Sequence, residues 1–217
     1  RMADVKAYVE VHIEQGPILE QKGLGIATVT GTKGIERERL VFRGQAAHAG
    51  TMPMEMRRDS FRAAARFALA IAEIGERHDG VTTVGHAQCW PGVVTAVAGE
   101  TRITMDMRHI SAESLKAMFD EAHDAAAAAA EAEGCTIEWE HIFRIPPMPF
   151  HPKLLESAHR HVRDIEGHDF ELPSGALHDA SEVAREIPTV MIFSSSVAGL
   201  SHTKEEDTPD EHLHMAA

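Results

Sequence analysis

The spacing of apolar and polar positions predicts a regular series of strands and helices in the middle of the chain. Apolar and polar residues alternate, as in half-buried strands, over 36–44, 81–89, 101–108 and 135–143. Apolar residues recur at helical spacing over 57–77 and 112–133. The resulting order, β-α-β-β-α-β, is typical of a ferredoxin-like unit, which we expect over residues 34–145.

The segments on either side of this unit predict parts of a second α/β domain. Strands are predicted at 7–13, 24–30 and 188–193, and helices at 152–166 and 178–186. We therefore expect an α/β fold in which the ferredoxin-like unit (34–145) is inserted into a partial domain formed by residues 1–33 and 146–217.

Composition is typical of a globular protein and excludes some partners. Apolar residues make up 43% of the chain and charged residues 25%, which are ordinary values. The formal net charge of -13 argues against nucleic acid, because a phosphate-binding face needs basic surface. No apolar run approaches the length of a membrane span, and no signal-peptide core is visible. With only Cys89 and Cys135, we expect a reduced, cytoplasmic protein.

Two histidines near opposite ends of the chain are the first candidates for chemistry. His12 lies in a predicted strand that runs into a polar turn, and His202 follows an apolar stretch that ends in a turn. Imidazoles delivered from separate segments among carboxylates are a common way to build a hydrolytic metal site. A catalytic zinc needs about three protein ligands, so these two residues are an incomplete set.

The segment 174–179 allows a different interpretation, in which a Ser-His-Asp triad performs nucleophilic catalysis. Ser174, His178 and Asp179 supply the three residue types. Residues four and five apart at a helix start do not readily adopt triad geometry. We therefore prefer Asp179 as an ordinary residue of the helix start.

Six short motifs follow one another along the whole chain. They are 12–17 (HIEQGP), 44–54 (GQAAHAGTMPM), 57–59 (RRD), 106–108 (DMR), 174–180 (SGALHDA) and 199–202 (GLSH). In these motifs and their order the chain resembles the hydantoinase/carbamoylase branch of the M20 family of metal-dependent amidases. That branch includes N-carbamoyl-L-amino-acid hydrolases, allantoate amidohydrolases and ureidoglycolate amidohydrolases.

The resemblance implies both a fold and an activity. The fold is an α/β catalytic domain with an inserted lid and dimerisation domain, in agreement with the pattern above. The activity is metal-dependent hydrolysis of a linear C–N bond in an N-carbamoyl amino acid or a related ureido acid such as allantoate. Two alternatives stay open: an M20 peptidase or deacylase acting on acyl amides, and a non-catalytic dimerising fragment.

The resemblance also assigns roles to individual residues. It implies that His12 and His202 are metal ligands, and that His48 is the catalytic residue that stabilises the oxyanion, often across a dimer. Arg108 is implied to bind the substrate carboxylate through two parallel hydrogen bonds. The other substrate-binding residues that it implies are Gln15, Thr95, Gly175 and Ala176.

Two positions depart from the family pattern. Thr95 stands where the family usually has Asn, and it offers one hydroxyl in place of an amide group. Leu177 stands where the family usually has Gly, in a turn whose backbone N–H groups suit an anion. We expect both departures to affect substrate specificity.

The resemblance finally implies cofactors and partners. The complete enzyme is expected to use two divalent ions, which could be zinc, manganese, cobalt or nickel. The bridging carboxylate and general-base Glu of the family are not among these 217 residues. We therefore expect a missing N-terminal half to be needed for a complete site, and this chain alone to be inactive and to bind little or no metal. The expected partners are a small carbamoyl or ureido acid and a second copy in a homodimer, with no nucleic acid and no membrane.

Overall fold

The computed structural model describes residues 4–217, which divide into two compact units. The inserted unit comprises Gly34–Pro146, and the outer unit comprises the residues up to Lys33 together with Pro147–Ala217. The boundaries expected from the sequence differ from these by one residue.

Strands and α-helices are distributed along all of the described residues. The strands are β1 (Tyr8–Ile13), β2 (Ile26–Thr32), β3 (Gly34–Arg43), β4 (Ala47–His48), β5 (Val81–Trp90), β6 (Ala96–Val97), β7 (Glu100–His109), β8 (Thr136–Ile145), β9 (Met148–Pro149), β10 (Glu171–Ser174) and β11 (Thr189–Ser194). The helices are α1 (Ile18–Lys22), α2 (Ser60–Arg77), α3 (Ala112–Ala132), α4 (Pro152–Glu166), α5 (Asp179–Val183) and α6 (Asp210–Ala216). Within the described residues, none of the helices has the length and apolar character needed to cross a bilayer.

The inserted unit has the predicted ferredoxin-like topology. Its four long strands form one antiparallel sheet in the order β5-β7-β3-β8, and β4 and β6 form a separate antiparallel pair. Helices α2 and α3 pack together on one face of the sheet. The sequence correctly predicts this arrangement because the β-α-β-β-α-β order and the helical periodicity are both local properties.

Helix α2 shows how the core of the inserted unit forms. Its apolar stripe, with Phe67, Ile71 and Ile74, is buried against the sheet, and each such side chain contributes about 1.5–3 kcal/mol through burial. The predicted start at residue 57 is wrong by three residues. The carboxylate of Asp59 accepts hydrogen bonds from the N–H groups of the first turn, so the helix begins at Ser60.

The outer unit contains a mixed sheet with covered faces. The strand order is β1-β11-β2-β10, with β9 paired to β2. β11 runs parallel to β1 and antiparallel to β2. One side of β11 supplies Met191 and Phe193 to a core that includes Ala180 of α5, and the other side supplies Val190 and Ile192 to a core with α4 and α6. Both faces are buried, which explains why this strand is a continuous apolar run.

The parallel pairing of β1 and β11 brings two distant loops to one edge of the sheet. His12 is paired with Phe193 near the ends of these strands, and the N–H of Glu14 donates to the carbonyl of Ser194. Because the carboxyl ends of parallel strands lie at the same edge, the turn after β1 and the loop after β11 leave the sheet together. These segments contain the motifs at 12–17 and 199–202.

Candidate metal centre and substrate-binding residues

Three side chains with metal-binding atoms meet in the outer unit. Glu10, His12 and His178 each place one donor atom within 4.8 Å of the other two. Glu10 and His12 are two residues apart in β1 and therefore point to the same face of the strand. His178 immediately precedes α5, which packs against β1 and β11. The fold thus joins residues from opposite ends of the chain.

The carboxylate of Glu10 is oriented by two hydrogen bonds to one of its oxygens. Oε2 accepts from the hydroxyl of Tyr8 at 3.0 Å and from the N–H of Ala180 at 2.9 Å. The other oxygen, Oε1, lies 3.6 Å from Nδ1 of His178, which is too far for a hydrogen bond. One carboxylate oxygen is therefore used for orientation while the other faces the histidines.

The ring of His12 has a defined tautomer when it is neutral. Its Nδ1 lies 2.8 Å from the carbonyl oxygen of Ile13. A carbonyl oxygen can only accept, so Nδ1 carries the proton and Nε2 carries the lone pair. This is the usual arrangement of a metal-binding histidine, whose second nitrogen donates to a backbone carbonyl.

His178 is buried and neutral at physiological pH. Burial, and to a smaller extent the nearby charge of His12, lower its pKa from 6.5 to about 4. Its Nε2 lies 2.7 Å from Oγ of Ser174, which accepts from the N–H of Ala176 and donates to the carbonyl of the same residue. When the hydroxyl proton goes to the carbonyl of Ala176, Nε2 of His178 is the donor and its lone pair is on Nδ1 beside Glu10, the form that can bind a metal ion through Nδ1.

These three residues fit a divalent cation. Two neutral imidazoles and one carboxylate are the donors that zinc and other transition metals accept. In each of the three side chains, another polar atom is hydrogen-bonded to a neighbouring group, as is usual around metal ligands. Of the three, only His12 is predicted from the sequence to be a metal ligand. The two-residue spacing of Glu10 and His12 in a strand was the signal that could have identified Glu10.

Two members of the disfavoured Ser-His-Asp triad are in contact. The spacing argues against a complete triad of Ser174, His178 and Asp179, but Ser174 and His178 are hydrogen-bonded. The residues achieve this because β10 ends at Ser174 and the chain turns before α5 begins at Asp179. Ser174 is nevertheless only 1% exposed, so it cannot reach a substrate as a nucleophile. Its hydrogen bond restrains the ring of His178.

The turn after β1 is connected to the loop that contains His202. Gln15 has a left-handed backbone (φ 57°), its N–H donates to Oγ of Ser196, and its side-chain amide donates to Oγ of Ser201. His202 is exposed, and its N–H donates to Glu206 at 2.5 Å. That hydrogen bond lowers the pKa of the Glu206 carboxyl, and the side chain of Ser201 and the charges of His202 and His12 lower it further. Glu206 is therefore bound to the backbone of one predicted metal ligand, His202.

In the predicted anion-binding turn at 175–177, one backbone N–H group already donates a hydrogen bond within the protein. The N–H of Ala176 donates to Oγ of Ser174. Gly175 is exposed, and Leu177 is 46% exposed. Substrate binding by Gly175 and Ala176 stays a prediction, with the Ala176 amide already hydrogen-bonded.

In the inserted unit, His48 and Thr95 belong to neighbouring segments. His48 ends β4 opposite Ala96 of β6, and the N–H of Ala49 donates to the carbonyl of Thr95. Both His48 and Thr95 are exposed. Nδ1 of His48 accepts from the N–H of Gly50 at 3.0 Å, so the proton of the neutral ring is on Nε2. His48 therefore presents a hydrogen-bond donor, as stabilisation of an oxyanion requires.

The guanidinium of Arg108 is paired with a carboxylate on its own strand. Nε and Nη2 donate to the two oxygens of Asp106 at 2.7 and 3.2 Å. Arg37 of the neighbouring strand donates to the same carboxylate at 2.5 Å. Asp106, for which the sequence predicts no role, therefore orients Arg108. A substrate carboxylate at Arg108 would add to this pair or compete with it.

Arg108 lies near one end of strand β7, and the β4–β6 pair that contains His48 lies beyond the other end. The β4–β6 pair extends from the end of the sheet where Arg43 is paired with Glu100, and Arg108 is paired with Ile35 near the other end. Eight residues separate Glu100 and Arg108, which corresponds to roughly 26 Å of extended strand.

Comparison with known proteins identifies the family. The model for peptidase family M20/M25/M40 matches residues 1–217. The chain belongs to this family. The resemblance inferred from the six motifs is thereby confirmed, and the α/β architecture is shared with solved members of the hydantoinase/carbamoylase group.

This M20 chain is similar to enzymes that act on carbamoyl and ureido compounds. It is 34% identical to the N-carbamoyl-L-amino-acid amidohydrolase of Paenarthrobacter aurescens, over 97% of the chain and 52% of that protein. It is 33% identical to the allantoate amidohydrolase of Escherichia coli (strain K12), over 94% of the chain and 50% of that protein. The structure of a hydantoinase/carbamoylase family amidase from Burkholderia multivorans superposes with a TM-score of 0.92 at 35% identity, over 98% of this chain and 52% of that one. The chain thus spans about half the length of these proteins.

Proposed function

We propose that this chain provides metal-binding and substrate-binding residues of an amidohydrolase. The enzyme would cleave a linear C–N bond in an N-carbamoyl amino acid or a related ureido acid such as allantoate. The observation that carries the proposal is the cluster of Glu10, His12 and His178, in an M20 chain whose relatives are carbamoylases and allantoate amidohydrolases.

In this proposal the outer unit binds the divalent ions. His12 is a ligand, Glu10 and His178 are the donors beside it, and His202 is a further predicted ligand. When bound, a divalent ion polarises the carbonyl of the substrate as a Lewis acid. A hydrogen bond from Tyr8 orients Glu10, and the hydrogen bond between Ser174 and His178 orients that imidazole before an ion arrives.

The inserted unit provides the polar groups for the substrate. Nε2–H of His48 donates to the carbonyl oxygen as negative charge develops there, and Arg108 binds the carboxylate. The roughly 26 Å of strand between the two ends of β7 is longer than a small ureido acid. We therefore propose that the two residues act on one substrate from different copies of the chain, in a homodimer.

The test is an assay of the complete gene product that contains this chain. We expect release of ammonia from N-carbamoyl-L-amino acids or allantoate, its loss on treatment with a chelator, and its recovery when a divalent ion is added back. An N-acetyl amino acid serves as the comparison substrate. Hydrolysis of the N-acetyl amino acid alone would favour the peptidase or deacylase alternative. Hydrolysis of none of these compounds would favour the alternative of a non-catalytic dimerising fragment.

The role of His48 is tested with a matched histidine in the same unit. His48→Ala is expected to lower kcat by about 10²–10³-fold, the usual effect of removing one oxyanion donor. His86→Ala changes an exposed histidine of β5 and is expected to leave kcat unchanged. Equal kcat values in the two variants would rule out His48 as the oxyanion donor.

A further inference from the structure

The segment that contains His48 is a loop whose two ends are fixed to each other. The N–H of Gln45 donates to the carbonyl of Arg58 at 2.8 Å. Gly44 lies so close to that carbonyl that a Cβ at this position would be 2.0 Å from its oxygen. This contact requires glycine, because no larger residue permits such an approach of two backbone segments.

Arg57 bridges this loop from inside. Its Nε donates to the carbonyl of Met52 at 3.1 Å, and its Nη2 donates to the carbonyl of Ala49 at 2.6 Å. The two donors lie on one edge of the planar guanidinium, so a single side chain fixes two peptide groups at once. Within residues 4–217, Arg57 makes no ion pair, and these two carbonyls are the acceptors for its side chain.

Both peptide groups belong to the turn that sets the orientation of His48. The carbonyl of Ala49 is on the residue next to His48. The N–H of Met52 donates to the carbonyl of His48 at 3.2 Å, and the N–H of Gly50, between them, donates to Nδ1 of the His48 ring. Arg57 therefore restrains the turn whose amide selects the tautomer of His48.

The backbone of Arg57 is itself anchored to the core. Asp59, two residues later, caps α2, and the N–H and hydroxyl of Ser60 both donate to the carbonyl of Ala98. Ser60 is fully buried. The guanidinium thus connects an exposed turn to a rigid helix start.

We infer that Arg57 is a positioning residue, which fixes the turn 49–52 so that the His48 ring keeps Nδ1 bonded to Gly50 and Nε2–H directed outward. That this orientation serves an oxyanion rests on the proposed function, whereas the restraint of the turn does not. Lysine is a poor substitute because its single ammonium group lacks the planar pair of donors.

The first test measures the turn without reference to activity. Arg57→Lys is compared with Arg58→Lys in the 217-residue chain. Arg58 is a matched control because its side chain also donates a hydrogen bond to a backbone carbonyl, but that carbonyl, of Gly134, lies outside the turn. We expect hydrogen exchange at the amides of Gly50 and Met52 to become about tenfold faster in the Arg57 variant only, the size expected when a charge-assisted hydrogen bond is lost. Thermal unfolding is measured for both variants, so that loss of the fold is not mistaken for local opening.

The second test observes the imidazole directly. At about pH 8, where an ordinary histidine is neutral, ¹⁵N spectra should show the Nε2–H tautomer of His48 in the wild-type chain and after Arg58→Lys. Arg57→Lys should show a mixture of both tautomers. Unchanged exchange and an unchanged tautomer after Arg57→Lys would overturn the inference.

A kinetic comparison separates this inference from the proposed function. In the complete enzyme, Arg57→Lys is expected to lower kcat about tenfold with little change in KM, and Arg58→Lys to change neither. A looser turn with unchanged kcat would overturn the catalytic part of the inference. Normal kcat after His48→Ala would instead reject the oxyanion role in the proposed function, and the exchange result would stand by itself.

Discussion

The ring of His178 lies edge-on against the ring of His12, with the centroids 4.5 Å apart and the planes inclined by 74°. Since His12 is also hydrogen-bonded through Nδ1 to Ile13, its ring is restrained by a contact on the ring and by a bond at one nitrogen. The direction of the Nε2 lone pair is thereby set before any ligand binds, which favours metal binding.

This relationship predicts that His178 affects metal affinity. His178→Ala is expected to weaken zinc binding by the 217-residue chain by about 10–100-fold, whether the residue is a ligand or orients one. Zinc affinity would be measured by competition with a chelating dye. The control is His214→Ala, which removes an exposed histidine of α6. If wild type bound zinc no better than His12→Ala, the expectation that this chain holds little metal would be upheld and the three-residue site rejected.

The pair of Arg108 and Asp106 predicts an effect on substrate binding. In the complete enzyme, Arg108→Ala is expected to raise KM for carbamoyl or ureido acids by about tenfold or more, because a carboxylate contact acts mainly in the ground state. Arg37→Ala is the control, since Arg37 is hydrogen-bonded to the same Asp106 carboxylate but has no predicted contact with substrate. Equal KM values for the two variants would reject Arg108 as the carboxylate-binding residue.

Asp106 predicts a pH-dependent contribution to stability. Burial would raise its pKa, but hydrogen bonds from Arg108 and Arg37 and their charges lower it below 3.8. A carboxyl whose pKa is lower in the folded than in the unfolded chain stabilises the folded chain at pH values above the unfolded-state pKa. This contribution is lost as the pH falls through the folded-state pKa. Asp106→Asn should therefore lower the free energy of unfolding at pH 7 by about 1 kcal/mol, after allowance for solvent screening.

Urea titrations between pH 7 and pH 3 would measure this contribution. The difference between wild type and Asp106→Asn should be constant down to about pH 4 and should shrink below it. A difference that is the same at every pH would mean that the substitution acts through packing and not through the charge.

Glu14 predicts a local contribution to stability next to His12. This residue is 8% exposed, and its two carboxylate oxygens accept from the N–H groups of Ile18 and Leu19, both at 2.8 Å. Glu14→Gln offers one acceptor where two are needed, so it should cost about 1–3 kcal/mol of unfolding free energy. Glu156→Gln, on the exposed side of α4, should cost nothing measurable. Equal midpoints in urea for the two variants would contradict this account of Glu14.

The topology of the inserted unit follows from local patterns in the sequence. The alternation of its strands and the helical spacing of its apolar residues predict the elements, and their order predicts the sheet. Element ends were predicted less well, as with α2, because the cap formed by Asp59 has more influence than the apolar pattern. The short helices α1 and α6 were missed, since five and seven residues are too few to show a helical period.

For the candidate site, the sequence identifies individual residues and the tertiary structure decides which of them are in contact. By itself the sequence determined the family and the individual candidates, because motifs such as 12–17 and 199–202 are local and recur within the family. Tertiary structure decided which of them meet. His178 joins His12 because β11 lies parallel to β1 and α5 packs on both, and Glu10 joins them because strand geometry turns it to the same face. No local pattern encodes contacts between residues so far apart along the chain. They form because burial of the β11 core selects one pairing of strands, and that pairing then fixes the neighbours of every side chain at the sheet edge.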